Sequence, residues 1–154
     1  MGIEIERKFL VKDESWRAFA RGKKYHQGYL SSNKERTVRI RTIGNRGYLT
    51  IKGIANGAGR VEYEYEIPAT EAQAMLDDLC EKPLIEKNRY KIDYHGFVWE
   101  VDEFYGENQG LIIAEVELEF KDQKFEKPEW IGAEVTGKSK YFNSNLIHHP
   151  YNQW

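Results

Sequence analysis

Alternation of apolar and polar positions with a period of two dominates this chain. In residues 3–11, Ile3, Ile5 and Phe9 fall on one side of an extended strand, with Arg7 among them, and Glu4, Glu6 and Lys8 fall on the other. The same rhythm returns at 25–30, 37–43, 48–52, 60–67, 85–92, 97–102 and 112–119, which predicts about eight strands. Gly44-Asn45-Arg46-Gly47 and Tyr94-His95-Gly96 supply turn chemistry, so the strands are expected to pair mostly as hairpins. Two stretches carry a helical period instead. Asp13 is placed to cap a short helix over 14–20, on which Trp16 and Phe19 share a side. Pro68 ends a strand, and Thr70 with Gln73 predicts a capping box for a helix bearing Met75, Leu76 and Leu79. Residues 53–59 are glycine-rich without phosphate-loop spacing and read as a plain connection. The C-terminal part reads as short helices, one around Trp130 and one over 138–146, before a terminal His148-His149-Pro150. The expectation is an α+β chain, mainly β: an antiparallel sheet or barrel with helices outside.

The bulk numbers narrow the function classes. A length of 154 residues predicts one domain over 1–154. A formal net charge of −2 gives no basic field for nucleic acid, although 23 Lys and Arg face 25 Asp and Glu, so their arrangement matters more than their sum. The single cysteine, Cys80, rules out an intrachain disulfide and a multi-cysteine zinc site, and its place at a helix end suits packing. No apolar run approaches membrane-spanning length, and the N-terminus lacks an apolar signal core. A cytoplasmic protein without a membrane or nucleic-acid partner is expected.

The charged faces are sorted by sign. Arg39 and Arg41 form one basic row, and Lys87, Arg89 and Lys91 another. Glu62, Glu64 and Glu66 form an acidic row, as do Glu100 with Asp102 and Glu115, Glu117 and Glu119. Surface strands normally mix signs, because like charges at neighbouring positions repel. Pure rows make sense where a polyanion and its divalent cations sit between them. The apolar faces, with Tyr63, Tyr65, Trp99, Val101, Val116 and Leu118, need cover, which outer helices can provide. The charged faces would then line a closed lumen; the pattern alone leaves open which face is inside.

Glu4-Ile5-Glu6-Arg7-Lys8 matches the ExExK signature of the CYTH family, the triphosphate tunnel metalloenzymes. Val38-Arg39-Ile40-Arg41 resembles the family's paired-arginine strand, Leu49-Thr50-Ile51-Lys52-Gly53 its lysine strand and Arg60-Val61-Glu62-Tyr63-Glu64 its paired-glutamate strand. Lys87-Asn88-Arg89-Tyr90, Trp99-Glu100-Val101-Asp102-Glu103-Phe104 and Ala114-Glu115-Val116-Glu117-Leu118 resemble the later strands, and Tyr141-Phe142-Asn143-Ser144-Asn145 the C-terminal helix segment. The resemblance runs in order along nearly the whole chain.

That resemblance implies an eight-stranded antiparallel β-barrel tunnel with helices packed outside, binding a triphosphate with Mg²⁺ or Mn²⁺. By motif position, Lys8, Arg39, Arg41, Lys52, Lys87 and Arg89 would hold phosphate, with Lys138 reaching it from the C-terminal segment. Glu4, Glu6, Glu62, Glu64, Asp102, Glu115 and Glu117 would hold metal and position water. Glu4, Glu6 and Lys8 would be catalytic, with Lys8 polarising the phosphoryl group under attack. Tyr29 would line the tunnel mouth or pack. Glu66, Glu100, Lys91 and Glu119 share the parity of these rows but sit at strand ends. The expected activity is hydrolysis of inorganic tripolyphosphate to phosphate and pyrophosphate. The alternatives are a thiamine triphosphatase, a nucleoside triphosphatase or a class IV adenylate cyclase on the same site, and, without catalysis, a polyphosphate-binding module or a structural barrel. A homodimer is compatible with this reading.

Overall fold

The computed structural model describes residues 2–154. Its strands are β1 (Gly2–Val11), β2 (Lys23–Ser31), β3 (Arg36–Ile43), β4 (Arg46–Gly53), β5 (Gly59–Ile67), β6 (Ile85–Tyr94), β7 (Phe97–Phe104), β8 (Ile112–Glu117) and β9 (Ile131–Glu134). The α-helices are α1 (Ala69–Asp78) and α2 (Asn143–Leu146). The sheet runs β5-β4-β3-β2-β6-β7-β8-β1-β9, every pair antiparallel, and β5 also pairs with β1. Eight strands therefore close into a barrel, and β9 lies against β1 outside that ring.

β1 is the closing element, and it divides its length between partners. Gly2 to Ile5 pair with β5, Glu6 to Leu10 with β8, and Phe9 and Val11 with β9. The barrel seam between β1 and β5 is thus four residues long.

The outward faces carry the core. On β1, β7 and β8 the side chains of Phe9, Trp99, Val101 and Val116 are fully buried. They are covered mainly by the irregular stretch between β8 and β9, from which Phe125 reaches Trp99 at 5.8 Å between ring centroids and Trp130 reaches it at 6.1 Å. Trp16, from a single 3-10 turn (Ser15–Phe19), packs edge-on to Tyr90 at 4.9 Å. Elsewhere α1 lies on β3 and β4 and buries Ala72 and Leu76 against Ile40. Burial of a side chain such as Leu76 contributes about 1.5–3 kcal/mol. Close approach here depends on glycine: a Cβ on Gly47 would stand 2.7 Å from that of Ala72.

One end of the lumen is sealed by apolar side chains. Leu10, Tyr29, Ile85, Phe104 and Ile113 each lie two residues beyond, or before, a polar inward residue on the same strand face. They meet Val135, Tyr141, Leu146 and Ile147 of the C-terminal segment in one cluster.

Several local expectations are corrected. Trp130 precedes a ninth strand and is not in a helix, because residues 131–134 find a pairing edge on β1. Pro68 occupies the N-cap position of α1, and Gln73 bonds Asp77 in place of closing a capping box. Asp13 accepts from the Ser15 N–H at the edge of a 3-10 turn that is too short for an α-helix. Phe19, Tyr65 and Leu79 are exposed, since neither short helix extends over them. Among the described residues, no helix is long and apolar enough to cross a membrane.

Candidate active site

Strand alternation delivers the site. Each strand that buries an outward apolar row points the intervening polar row into the lumen. Glu4, Glu6 and Lys8 on β1, Arg39 and Arg41 on β3, Lys52 on β4 and Glu62 and Glu64 on β5 all line one cavity of about 240 Å³. Lys87 and Arg89 on β6 and Glu115 and Glu117 on β8 complete the set. Glu100, expected at a strand end, lies in the middle of β7 between Lys91 and Glu115 and also lines it. Glu66 is exposed and pairs with Arg46, and Glu119 is exposed just beyond β8.

Two expected ligands are placed elsewhere. Lys138 is exposed and lies outside the cavity lining. Asp102 is 1% exposed and does not reach the lining either. Both of its oxygens are used by basic side chains: Arg89 donates to Oδ1 at 2.7 Å and to Oδ2 at 2.9 Å, and Lys87 Nζ stands 2.8 Å from Oδ2. Asp102 holds these two cations from behind.

The other charges form alternating pairs around the wall. Lys8 Nζ lies 2.9 Å from Glu115 and 3.7 Å from Glu6. Lys52 Nζ lies 2.8 Å from Glu4 and 3.3 Å from Glu62. Glu64 accepts from Thr50 at 2.8 Å and lies 3.5 Å from Arg39 and 3.8 Å from Arg41. Arg89 also reaches Glu100 at 3.2 Å and Glu115 at 3.3 Å. Desolvation of so many charges is costly unless each finds a partner.

The balance is uneven, and the carboxyl groups show where. Burial, reinforced by Glu115 and Glu4 and only partly offset by Lys8, pushes Glu6 up to about 8. Burial and the neighbouring Glu4 raise Glu62, and burial with Glu4, Glu100 and Glu62 raises Glu117. Glu115 is more deeply buried than Glu62 or Glu117, yet Lys8 and Arg89 hold it well below the usual carboxylate range. On the basic side, burial lowers Lys87 to about 7 despite Asp102. Burial, with Arg39 and Arg89 nearby, lowers Arg41 to about 10.

These observations test the fit to a divalent cation and a phosphate chain. Burial and mutual repulsion hold protons on Glu6, Glu62 and Glu117 above the usual carboxylate range, a crowding that a divalent cation relieves, and hard oxygen donors of this kind suit Mg²⁺ or Mn²⁺. Among the described residues, no three acids or histidines are drawn together into a ready metal cage; Lys8 and Lys52 stand between the carboxylates. The Nε groups of Arg39 and Arg41 are buried without an acceptor, which is costly for a guanidinium N–H and is relieved by a bound oxyanion. Both halves of the donor set fit.

Further residues belong to the cavity. Arg60 lines it and donates to Gly53 O at 2.9 Å and Thr37 Oγ1 at 3.1 Å. Its parity with Glu62 and Glu64 is a usable sequence signal. The stretch read as a plain connection contributes Ala55, Gly57, Ala58 and Gly59. Tyr29 lines the cavity at the sealed end. Asn143, at the start of α2, accepts from Lys87 Nζ at 2.9 Å and from Gln27 Nε2 at 3.1 Å, closing the cavity with Phe142 and Ser144. Asn143 falls within the 141–145 segment that resembles the family's C-terminal helix, but neither strand parity nor charge singles it out.

Comparison with known proteins agrees with this geometry. Residues 2–151 match the CYTH domain model. An inorganic triphosphatase of Acetivibrio thermocellus is 54% identical over 98% of this chain and 97% of its own length. One from Nitrosomonas europaea is 36% identical over 93% of this chain and 95% of its own. A solved inorganic triphosphatase structure superposes with a TM-score of 0.67 at 32% identity, covering 93% of this chain and 96% of that one. An eight-stranded barrel with its charged rows turned inward, matched along almost its entire length, belongs to the CYTH domain family.

Proposed function

We propose that this chain hydrolyses inorganic tripolyphosphate to pyrophosphate and orthophosphate inside the lumen, with Mg²⁺ or Mn²⁺ as cofactor. The observation that carries the reading is the meeting of basic and acidic rows in one closed cavity, with unused guanidinium donors on one wall and under-neutralised carboxylates on the other. The names of the similar proteins support the same reaction.

Arg39, Arg41, Lys52, Lys87 and Arg89 grip the phosphate chain. Glu4, Glu6, Glu62, Glu64, Glu115 and Glu117 hold the metal. When bound, such a cation neutralises phosphate oxygens and makes a coordinated water more acidic. Asp102 acts behind the wall, fixing Lys87 and Arg89 as donors toward substrate. Lys8, kept protonated by Glu115 and Glu6 against the effect of burial, donates to the phosphoryl oxygen on which charge accumulates. Glu4 and Glu6 orient the attacking water, and whichever of the two is ionised receives its single proton. The water oxygen bonds to the terminal phosphorus as the anhydride P–O bond breaks, and pyrophosphate leaves.

The test is phosphate release by the full chain from tripolyphosphate, pyrophosphate, ATP and thiamine triphosphate, with Mg²⁺, Mn²⁺ or chelator. Metal-dependent release that favours tripolyphosphate and is lost in Lys8→Ala is expected. A preference for ATP or thiamine triphosphate would keep the site and reject the substrate. Turnover that survives chelator would reject the metal.

A further inference from the structure

The inward face does not end where the charged cavity does. Along β6 it runs Lys87, Arg89, Lys91; along β3, Arg39, Arg41, Ile43; along β4, Lys52, Thr50, Tyr48. The last member of each run lines a second cavity of about 430 Å³ at the rim of the barrel, beside the β3–β4 turn. Arg89 lines both cavities. The partition is Tyr25, 4% exposed, whose ring lies 5.0 Å from the Arg41 guanidinium and 4.9 Å from that of Arg89.

The two chambers differ in charge. The first mixes acids and bases. The second is lined by Arg21, Lys23, Arg46, Arg89 and Lys91, and among the described residues no carboxylate lines it. Arg46 is neutralised by Glu66, Arg89 by Asp102 and Glu100, and Lys91 lies 3.8 Å from Glu100. Among the described residues, Arg21 and Lys23 have no carboxylate within ion-pair distance. Both are exposed at the start of β2, where they project positive charge over the opening. A chamber with basic walls and a low-dielectric floor concentrates small anions.

We infer that this rim chamber is a second anion subsite, which binds a free phosphate-type oxyanion without metal, next to but distinct from the lumen. Binding would rest on Arg21, Lys23 and Lys91, with Tyr25 and Tyr48 as floor and side wall. The metal-holding carboxylates lie on the opposite walls, so cation and anion approach the lumen along separate sides. A product anion released past Arg89 meets this chamber before bulk solvent.

The experiment is a titration of the full chain with inorganic phosphate in chelator, followed by calorimetry and by backbone amide shifts. Wild type is expected to bind phosphate without metal, with shifts confined to residues 21–25, 46–48 and 89–91. The variant Arg21→Ala/Lys23→Ala/Lys91→Ala should bind about tenfold more weakly, the effect of losing three exposed charges. It should keep its tripolyphosphate turnover in Mg²⁺ while losing sensitivity to added phosphate. Lys23→Glu, a single exposed change, should weaken binding in the same direction without altering the melting temperature. No metal-free binding by wild type, undiminished binding by the triple variant, or binding that requires Mg²⁺ and falls with Lys8→Ala would each overturn the subsite. The binding readings involve no turnover, so they stand apart from the proposed hydrolysis.

Discussion

Replacing Asp102 by Ala separates a positioning carboxylate from a metal ligand. The side chain is 1% exposed and its two oxygens take three contacts of 2.7–2.9 Å from Lys87 and Arg89. Truncation leaves an ammonium and a guanidinium buried together with one neutralising charge fewer. Removing one partner of a buried ion pair costs about 3–5 kcal/mol. For a chain of this size that corresponds to a fall in melting temperature of roughly 6–20 °C. The cost should shrink when pyrophosphate is added in chelator, because an anion in the lumen repays part of the missing charge and stabilises by mass action. Differential scanning calorimetry with and without pyrophosphate measures both effects. The affinity for Mn²⁺, followed by electron paramagnetic resonance, should change far less in Asp102→Asn than in Glu4→Gln. A melting temperature within about 2 °C of wild type, or Mn²⁺ affinity lost in Asp102→Asn as completely as in Glu4→Gln, would refute the positioning role.

Other perturbations read other parts of the structure. Glu6 is raised to about 8, so in metal-free protein its stabilising proton is fully present below the ordinary glutamate range and is lost as pH rises through about 8. Bound Mn²⁺ displaces that proton, and the thermal stabilisation it gives should therefore grow from pH 6 to pH 8 and then level off; a pH-independent shift in scanning fluorimetry would contradict this. Arg17 holds Glu103 below its ordinary value through a pair that is about one-third exposed. Its contribution, at most about 1 kcal/mol, is present above the unfolded pKa of Glu103 and is lost as pH falls through the folded one. Arg17→Ala should flatten that part of the acid-unfolding curve. Gly28→Ala would place a Cβ 2.6 Å from Leu84 and 2.9 Å from the Cys80 Cβ, costing about 1–3 kcal/mol in urea unfolding. Unchanged stability would mean that the segment between α1 and β6, which carries Cys80 and Leu84, can move off β2 freely.

Much of the barrel is legible because its code is local. Parity alone assigns Glu4, Glu6 and Lys8 to one face, and the purity of the charged rows argues that this face looks inward. Asp102 shows where parity stops. It shares its face with Glu100, yet cross-strand register sets it beside Arg89 and so behind the cavity wall. Register in a tilted barrel is fixed by the whole ring and cannot be taken from one strand. Residues 131–134 carry too few residues for a period, and their pairing edge on β1 is more than a hundred positions away. Asn143 reaches Lys87 from a four-residue helix whose position depends on the apolar packing of Leu146 and Ile147 beneath it.

The four-residue seam between β1 and β5 has a consequence for how the protein comes to life during synthesis. β1 leaves the ribosome ahead of β2–β9 and carries Glu4, Glu6 and Lys8, but it finds its β8 partner only after residue 117 has emerged. Its β5 contacts offer few bonds on which to wait. Pairings of such long sequence separation form late and slowly. The row of Glu4, Glu6 and Lys8 is therefore among the last parts of the barrel to assemble, although it is translated before the strands it pairs with. Half-made chains hold Arg39, Arg41 and Lys52 beside Glu62 and Glu64 of β5 but without Glu115 and Glu117 of β8, and triphosphate turnover marks the moment at which β1 and β8 have met.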